Sequence, residues 1–327
     1  MASRRIFVSP GSEERVTLVR DWMISRKGET VVLADSKGAV DDLVRSSCRR
    51  CGGLAGVHRF TPAQLAAILA TPSLAEKRLS PVGSLGQVAI AARCVQKALE
   101  RVGLSYFEPV SRMPGFARAL SSTISDLRAE KVESEVLRTQ GKPGRDLAVL
   151  LDLFVEELHA QQLADIWELF SLATRSAPWE VCPIVGKPLA FLDLGNQSYV
   201  ARQFLSKLAD TAPSVLATVP FGDEKGIRLM QDLLGIECEQ ALQDSSSQPS
   251  LHRVRVGIFE AGETPASVQD ESVRFFSAPG EGRECGEIAR RILSFAGDGI
   301  RFDQTAVLLR DPLVYQPQLQ DAFSRAR

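Results

Sequence analysis

Few residues in this chain could do phosphate chemistry, and the first candidates follow its opening apolar run. Arg5-Ile-Phe-Val8 reads as a short buried strand, Ser9-Pro10-Gly11-Ser12 as a polar turn, and Glu13-Glu14-Arg15 as the start of a helix. Strand, turn and helix in that order hold a nucleotide's phosphates when small residues let backbone amides surround them. A lysine then neutralises the phosphates, and a Ser or Thr holds magnesium. Counting back from Leu18 puts Glu13 where the last glycine belongs, Glu14 at the lysine and Arg15 at the Ser or Thr. Two carboxylates there repel a polyphosphate. The expectation is therefore a degenerate phosphate loop over Ser9, Pro10, Gly11, Ser12, Glu13, Glu14 and Arg15, binding neither ATP nor magnesium. Ala190-Phe-Leu-Asp193 is a second apolar run, ending in an aspartate that could hold magnesium. Leu194 stands where a water-positioning glutamate would follow. The plainer expectation is that Asp193 caps the next turn.

Other constellations are weaker. Cys48 and Cys51, with His58 seven residues on, suggest a metal, but a closed zinc site takes four ligands and no second pair completes one. They read as ordinary thiols at a helix end. His159 and His252 have no nucleophilic or acidic partner at suggestive spacing, so no catalytic triad emerges. Arg49, Arg50, Arg283, Arg290 and Arg291 read as solvated helix faces.

The elements that must position these residues follow from periodicity. Thr30–Ala34 is a second β-branched strand, leading through Asp35-Ser36 into a helix from about Gly38. This succession begins a parallel α/β sheet. From Thr61 to about Ala177 the pattern turns helical, with apolar spacing over 62–70, 84–102, 114–129 and 145–174 and breaks at Pro72, Pro81, Gly103, Pro109, Pro114 and Gly141–Gly144. Strands resume at 188–194 and 214–219, with helices over 198–210 and 225–234 between and after them. The tract 241–269 has linker-like composition around a short strand at 253–259. A further strand at 273–278, a helix at 282–295, a strand at 305–309 and a helix from about Gln316 start a second α/β unit.

Composition bounds the class. The 327 residues suggest about two domains at roughly 150 residues each. Lys plus Arg is 39 and Asp plus Glu 40, a net charge of −1, which excludes nucleic-acid binding by overall basicity. With 44% apolar and 24% charged residues the chain is globular rather than disordered. No run approaches the ~18 apolar residues of a spanning helix, and the N-terminus lacks a signal-peptide core. Six scattered cysteines fit reduced thiols, so the expected location is the cytoplasm, with no membrane partner.

The second half also carries a resemblance. Phe275-Phe-Ser-Ala-Pro-Gly280, then Glu284-Cys-Gly-Glu287-Ile-Ala-Arg-Arg-Ile-Leu293, then Thr305-Ala-Val-Leu-Leu-Arg310-Asp311 resemble the start of the second motor domain of UvrD/Rep-type helicases. Phe-x-Ala-Pro-Gly and Leu-Leu-Arg-Asp look closest to the B subunit of AddAB-type (AddB/RexB) helicase–nucleases. Pro114-Gly-Phe-Ala-Arg-Ala-Leu120, Ile124-Ser-Asp-Leu-Arg128 and Leu163-Ala-Asp165-Ile-Trp-Glu-Leu169 are similar to that family's helical blocks. Gly222-Asp223 follows a strand where such helicases place a glycine-aspartate, but Glu224, Lys225 and Gly226 stand where a glutamine is expected.

The resemblance implies a P-loop NTPase fold of the RecA-like, superfamily 1 helicase type. Residues 1–60 and 178–245 would form the first RecA-like domain, 61–177 a helical insertion, 246–270 a linker and 271–327 the start of a second RecA-like domain. It further implies an AddA-type motor subunit as partner, single-stranded or end DNA as ligand, and a role in resecting double-strand breaks in recombinational repair. The family's nuclease domain and iron–sulfur cysteines lie near the C-terminus of the subunit; neither motif appears here, and the chain reads as a fragment of a longer protein. The expected role is a non-catalytic DNA-binding and partner-docking scaffold. Ser277 and Arg310, at strand ends facing the cleft between the two motor-like units, are the candidate DNA contacts. The alternatives are an active ATPase or helicase with an unconventional phosphate loop, and a pure protein-interaction module.

Overall fold

The computed structural model describes residues 3–26, 28–176, 179, 182–241, 249–258 and 270–326. The chain divides into two compact units, Met1–Ser247 with His252–Pro265, and Gln248–Leu251 with Ala266–Arg327.

In the first unit, β1 (Ser3–Ser9), α1 (Ser12–Ile24), β2 (Thr30–Ala34), α2 (Lys37–Cys51) and β3 (Val57–Phe60) come first. The chain leaves the sheet through α3 (Pro62–Lys77), then runs through β4 (Ser80–Pro81), α4 (Ser84–Arg101), α5 (Phe116–Ala129), α6 (Ser134–Arg138), α7 (Gly141–Ala160) and β5 (Leu163–Ala164). It returns by α8 (Ile166–Ser176) to β6 (Leu189–Leu192), α9 (Tyr199–Thr211), β7 (Ser214–Pro220), α10 (Glu224–Leu234) and β8 (Glu239–Gln240). The strand order is β3-β2-β6-β7-β1-β8, with every neighbouring pair parallel. The architecture is α/β with a parallel sheet, as the alternating pattern predicts.

Strand pleat sorts the core into two layers. Val31, Leu33, Leu189, Phe191, Val215 and Ala217 face α3, α8, α9 and α10. Val32, Ala34, Ala190, Leu192 and Leu216 face α1 and α2, meeting Val19, Met23, Val40 and Leu43. All five residues of β2 are buried, as expected of a strand covered on both faces.

Several sequence boundaries are corrected. Pro72 sits inside α3 instead of ending it. A proline in a helix frees the carbonyl four residues back, here Ile68, which is exposed so that water can replace the lost donor. The single helix expected over 145–174 is two, α7 and α8, separated at Gln162, whose φ is +53°. Gly141-Lys-Pro-Gly144 is the first turn of α7 and not a break; proline is tolerated there because the first amides lack intrahelical partners. β3 and β8 were not expected: His58 and Arg59 hide the β3 pattern, and β8 has two residues. α3 and α8 belong to the sheet's own core, whereas α4, α5, α6 and α7 close a separate one around Cys94, Ile124, Leu150 and Phe154. The expected insertion of 61–177 thus contains a lobe of about residues 82–160 with its own core.

Then comes α11 (Pro249–Gly257), whose residues are divided between the two units, where a strand over 253–259 was expected. The alternation of Val254, Val256 and Ile258 mimics a strand, but Pro249 starts a helix. Phe259, and 246–248 and 259–269 of the expected linker, lie outside the described residues.

The second unit holds α12 (Glu281–Gly297) and α13 (Pro312–Arg325), joined around Cys285, Ala289, Leu319 and Ala322. The expected strands at 273–278 and 305–309 form no ladder. Segment 305–309 keeps a strand's alternation: Val307 and Leu309 pack toward the helices, while Leu308 is 94% exposed. One helical layer covers one side of such a segment, so the pattern is present without a sheet to fulfil it.

Candidate functional site

The expected phosphate loop lies at the carboxyl ends of β1 and β7. From β1 the chain crosses by α1 toward β2 on one side of the order, and from β7 by α10 to β8 on the other. The crevice where a parallel sheet's connections diverge is where such folds bind ligands. β6, the strand that leads into Asp193, is separated from β1 by β7 alone.

Only Pro10 and Gly11 link β1 to α1. Pro10 has no N–H, and the Gly11 N–H donates to Ser9 Oγ at 3.1 Å. Ser9 Oγ in turn donates to the Glu14 carboxylate, so Glu14 folds back on the turn instead of facing outward. Glu13 is exposed in the first turn of α1, where a carboxylate complements the helix dipole.

Arg15 is the centre of the arrangement. Its residue is 5% exposed. Its Nε donates to both carboxylate oxygens of Asp193, at 2.9 and 3.1 Å, and its Nη1 donates to the Ser9 carbonyl. That carbonyl also accepts the Phe221 N–H at 3.1 Å, tying the turn after β7 to the turn after β1. Asp193 additionally accepts from Thr218 Oγ1 at 2.8 Å, and its own N–H donates to the Thr218 carbonyl at 3.1 Å. Asp193 adopts φ +48°, a left-handed conformation that aspartate tolerates better than most residues. It therefore does not cap a turn, as the plainer expectation had it; it anchors a guanidinium.

The groups that magnesium and a nucleotide's phosphates would need here have protein partners. Asp193 would have to face a metal, and it faces Arg15. The amides that should surround a phosphate are absent at Pro10 and engaged at Gly11. Asp223, the second residue of the glycine-aspartate pair, is the N-cap of α10, accepting from the Gly226 N–H at 3.0 Å.

Ser277 and Arg310 lie in the second unit and are both exposed. They do not end strands as expected, because 273–278 and 305–309 join no sheet there; Arg310 precedes Asp311, the N-cap of α13. Cys51 Sγ donates to the Ser47 and Gly53 carbonyls, and His58 faces Glu29 at 3.6 Å. Among the described residues no three His, Cys, Asp or Glu side chains gather as a metal site. No described helix is long and apolar enough to cross a membrane.

Arg15 and Asp193 are each legible in the sequence, but their pairing is not. A cation at the magnesium-binding position and an aspartate without its glutamate neighbour were the available signals. Thr218 was missed, since a threonine inside a β-branched run reads as strand. No protein-family model matches the chain, and a search of curated proteins finds no match.

Proposed function

We propose that this chain is the non-catalytic, helicase-like N-terminal part of an AddB-type subunit that processes DNA double-strand breaks, a RecA-like scaffold that has exchanged nucleotide binding for an internal ion pair. The observation that carries this reading is Arg15 held by Asp193 and the Ser9 carbonyl at the carboxyl end of a parallel sheet. The guanidinium supplies permanently the positive charge that a magnesium ion would bring with a nucleotide. A planar, always-charged fork suits that substitution, because it meets a carboxylate and a carbonyl together.

In this reading the sheet keeps its crevice because the crevice positions loops, not because it turns over ATP. Ser277 and Arg310 remain the proposed DNA contacts: both are exposed, and Arg310 has no side-chain partner among the described residues. Contacts of this kind hold phosphates through scattered cations, without a basic average charge.

Two titrations on the full chain test the reading. In calorimetry with magnesium-ATP at up to millimolar concentration no heat of binding is expected. Anisotropy with a fluorescent oligothymidylate at low salt is expected to detect binding that weakens as salt rises and weakens further in Arg310→Ala. ATP binding that disappears in Asp193→Ala would overturn the scaffold reading. Failure of the oligonucleotide to bind, even with an AddA-type partner present, would remove DNA from it.

A further inference from the structure

The first unit also carries a groove that the nucleotide crevice does not use. One cavity of about 730 Å³ lies along α9 between α8 and α10. A second, of about 360 Å³, continues across α8 toward α7. The two share Lys131, Ser171, Arg175 and Val200, which form the middle of the groove.

Charge is distributed along it in three parts. In the middle, Lys131 and Arg175 are exposed and have no side-chain partner among the described residues, and no carboxylate lines both cavities. Arg202 and Lys207 are already engaged, with Glu130 at 3.5 Å and with the Thr174 carbonyl at 2.6 Å. At the α10 end stand Asp210, which Arg4 holds at 2.9 Å, and Asp232. At the α7 end stand Glu133, Glu168, Asp152, which Arg138 pairs, and Arg128, which Asp165 holds. Apolar side chains recur along the floor, Val200 in the middle, Leu229 and Leu233 toward one end, Leu151 and Val155 toward the other, with Ser171, Thr174 and Ser206 among them.

We infer that this groove docks an acidic, amphipathic helical segment of a partner protein, its central carboxylates on Lys131 and Arg175 and its apolar side chains along the floor. The charge order argues for a peptide over a nucleic-acid strand. A strand carries a phosphate at every residue and needs cations along its whole length, whereas this groove carries carboxylates without a described partner at each end, Asp232 at one and Glu133 and Glu168 at the other. A helix lying in a valley between two helices buries one apolar stripe and sets its register by charge. The inference is independent of the reading of the nucleotide crevice.

The test uses the full chain and a fluorescein-labelled 16-residue helical peptide with leucines at i, i+3, i+4 and i+7 spacing and four central glutamates. A second peptide with lysines in place of the glutamates and a 16-nucleotide oligothymidylate complete the set. The glutamate peptide is expected to bind, with affinity reduced at least tenfold in the double variant Lys131→Glu/Arg175→Glu, and the lysine peptide is not. Both substituted side chains are exposed, so unchanged thermal unfolding of the double variant confirms that the comparison is between folded proteins. Hydrogen exchange is expected to slow at 171–175 and 199–203 in the complex. Absence of binding, equal affinity for the double variant, displacement of the peptide by oligothymidylate, or protection confined to other segments would each overturn the inference.

Discussion

The turn after β1 and the groove over α9 both present arginine, yet they use it in opposite ways. At the turn, Arg15 is nearly buried and its guanidinium is shared between Asp193 and the Ser9 carbonyl. In the groove, Arg175 and Lys131 are exposed and have no described side-chain partner. A buried charge has to be matched within the fold, because removing it from water without a partner costs several kcal/mol. An exposed one stays hydrated until something arrives. The position in the fold where ligand chemistry is expected is thus internally satisfied, and unspent charge lies on a helical face that no nucleotide motif marks.

Three buried carboxylates follow the first pattern. Arg128 makes a two-pronged contact with Asp165, which is 1% exposed. Glu157, also 1% exposed, is held by Lys97 and Arg93. The same burial, with the Glu157 charge adding to it, pushes the neighbouring Cys94 thiol up to about 12, so this cysteine is inert at neutral pH. Asp146 accepts from Ser105, Tyr106 and Phe107, fastening the loop after α4 to α7.

The sharpest way to break the contrast is Arg15→Ala. Removing one partner of a buried pair is expected to cost about 3–5 kcal/mol, toward the lower figure because the Asp193 side chain is 26% exposed. Urea unfolding measures it, and a loss under about 1 kcal/mol would mean that the turn does not depend on the pair.

Asp146→Ala comes next, at about 2–3 kcal/mol, since it strands three backbone N–H groups that now meet a carboxylate. The pH dependence of this site has a definite sign. Burial raises the Asp146 pKa, but the hydrogen bonds from Phe107, Tyr106 and Ser105 outweigh it and leave the carboxyl below its ordinary value. A depressed folded pKa adds stability above the unfolded value and loses it as pH falls through the folded one. The stability gap between the wild type and Asp146→Asn is therefore expected to hold from about pH 7 to 5 and to close below about pH 4. A gap that widened in acid would reverse the assignment.

Thr218→Val removes one hydroxyl from the Asp193 carboxylate while keeping the strand's shape, and about 1 kcal/mol is expected in the same urea assay. The smallest effect is expected in the groove. Lys131→Glu/Arg175→Glu should change stability by no more than about 0.5 kcal/mol, because no described contact is lost. A larger loss would show that the groove's charges are structural after all.

How much of this was legible in the sequence depends on whether the signal was local. β2 was legible because five consecutive buried residues leave a run of β-branched and aliphatic side chains. The start of α3 was legible because Thr61 caps it and Pro62 opens it. β3 was not: its backbone pairs with β2 while His58 and Arg59 face polar partners, so its side chains carry no apolar pattern. Arg15 and Asp193 were each visible, but 178 positions separate them, and the ion pair exists only through the sheet order. The groove left no motif at all, since Lys131, Arg175 and Val200 come from three separate parts of the chain.

The way the chain enters and leaves the helical lobe has a consequence for modularity. It goes out along α3 and comes back along α8, which pack side by side on the sheet core. At the neck, Ser80 and Pro81 pair with Leu163 and Ala164 in a two-residue ladder. Beyond that clasp the lobe has its own interior, braced to the sheet side through Arg128–Asp165 and the Trp167 hydrogen bond to Ser125. Insertion points with adjoining ends are those at which a fold accepts or surrenders a whole module, because a short bridge can replace everything past the clasp. The lobe is thus joined to the sheet as an attachment, through one clasp and two braces.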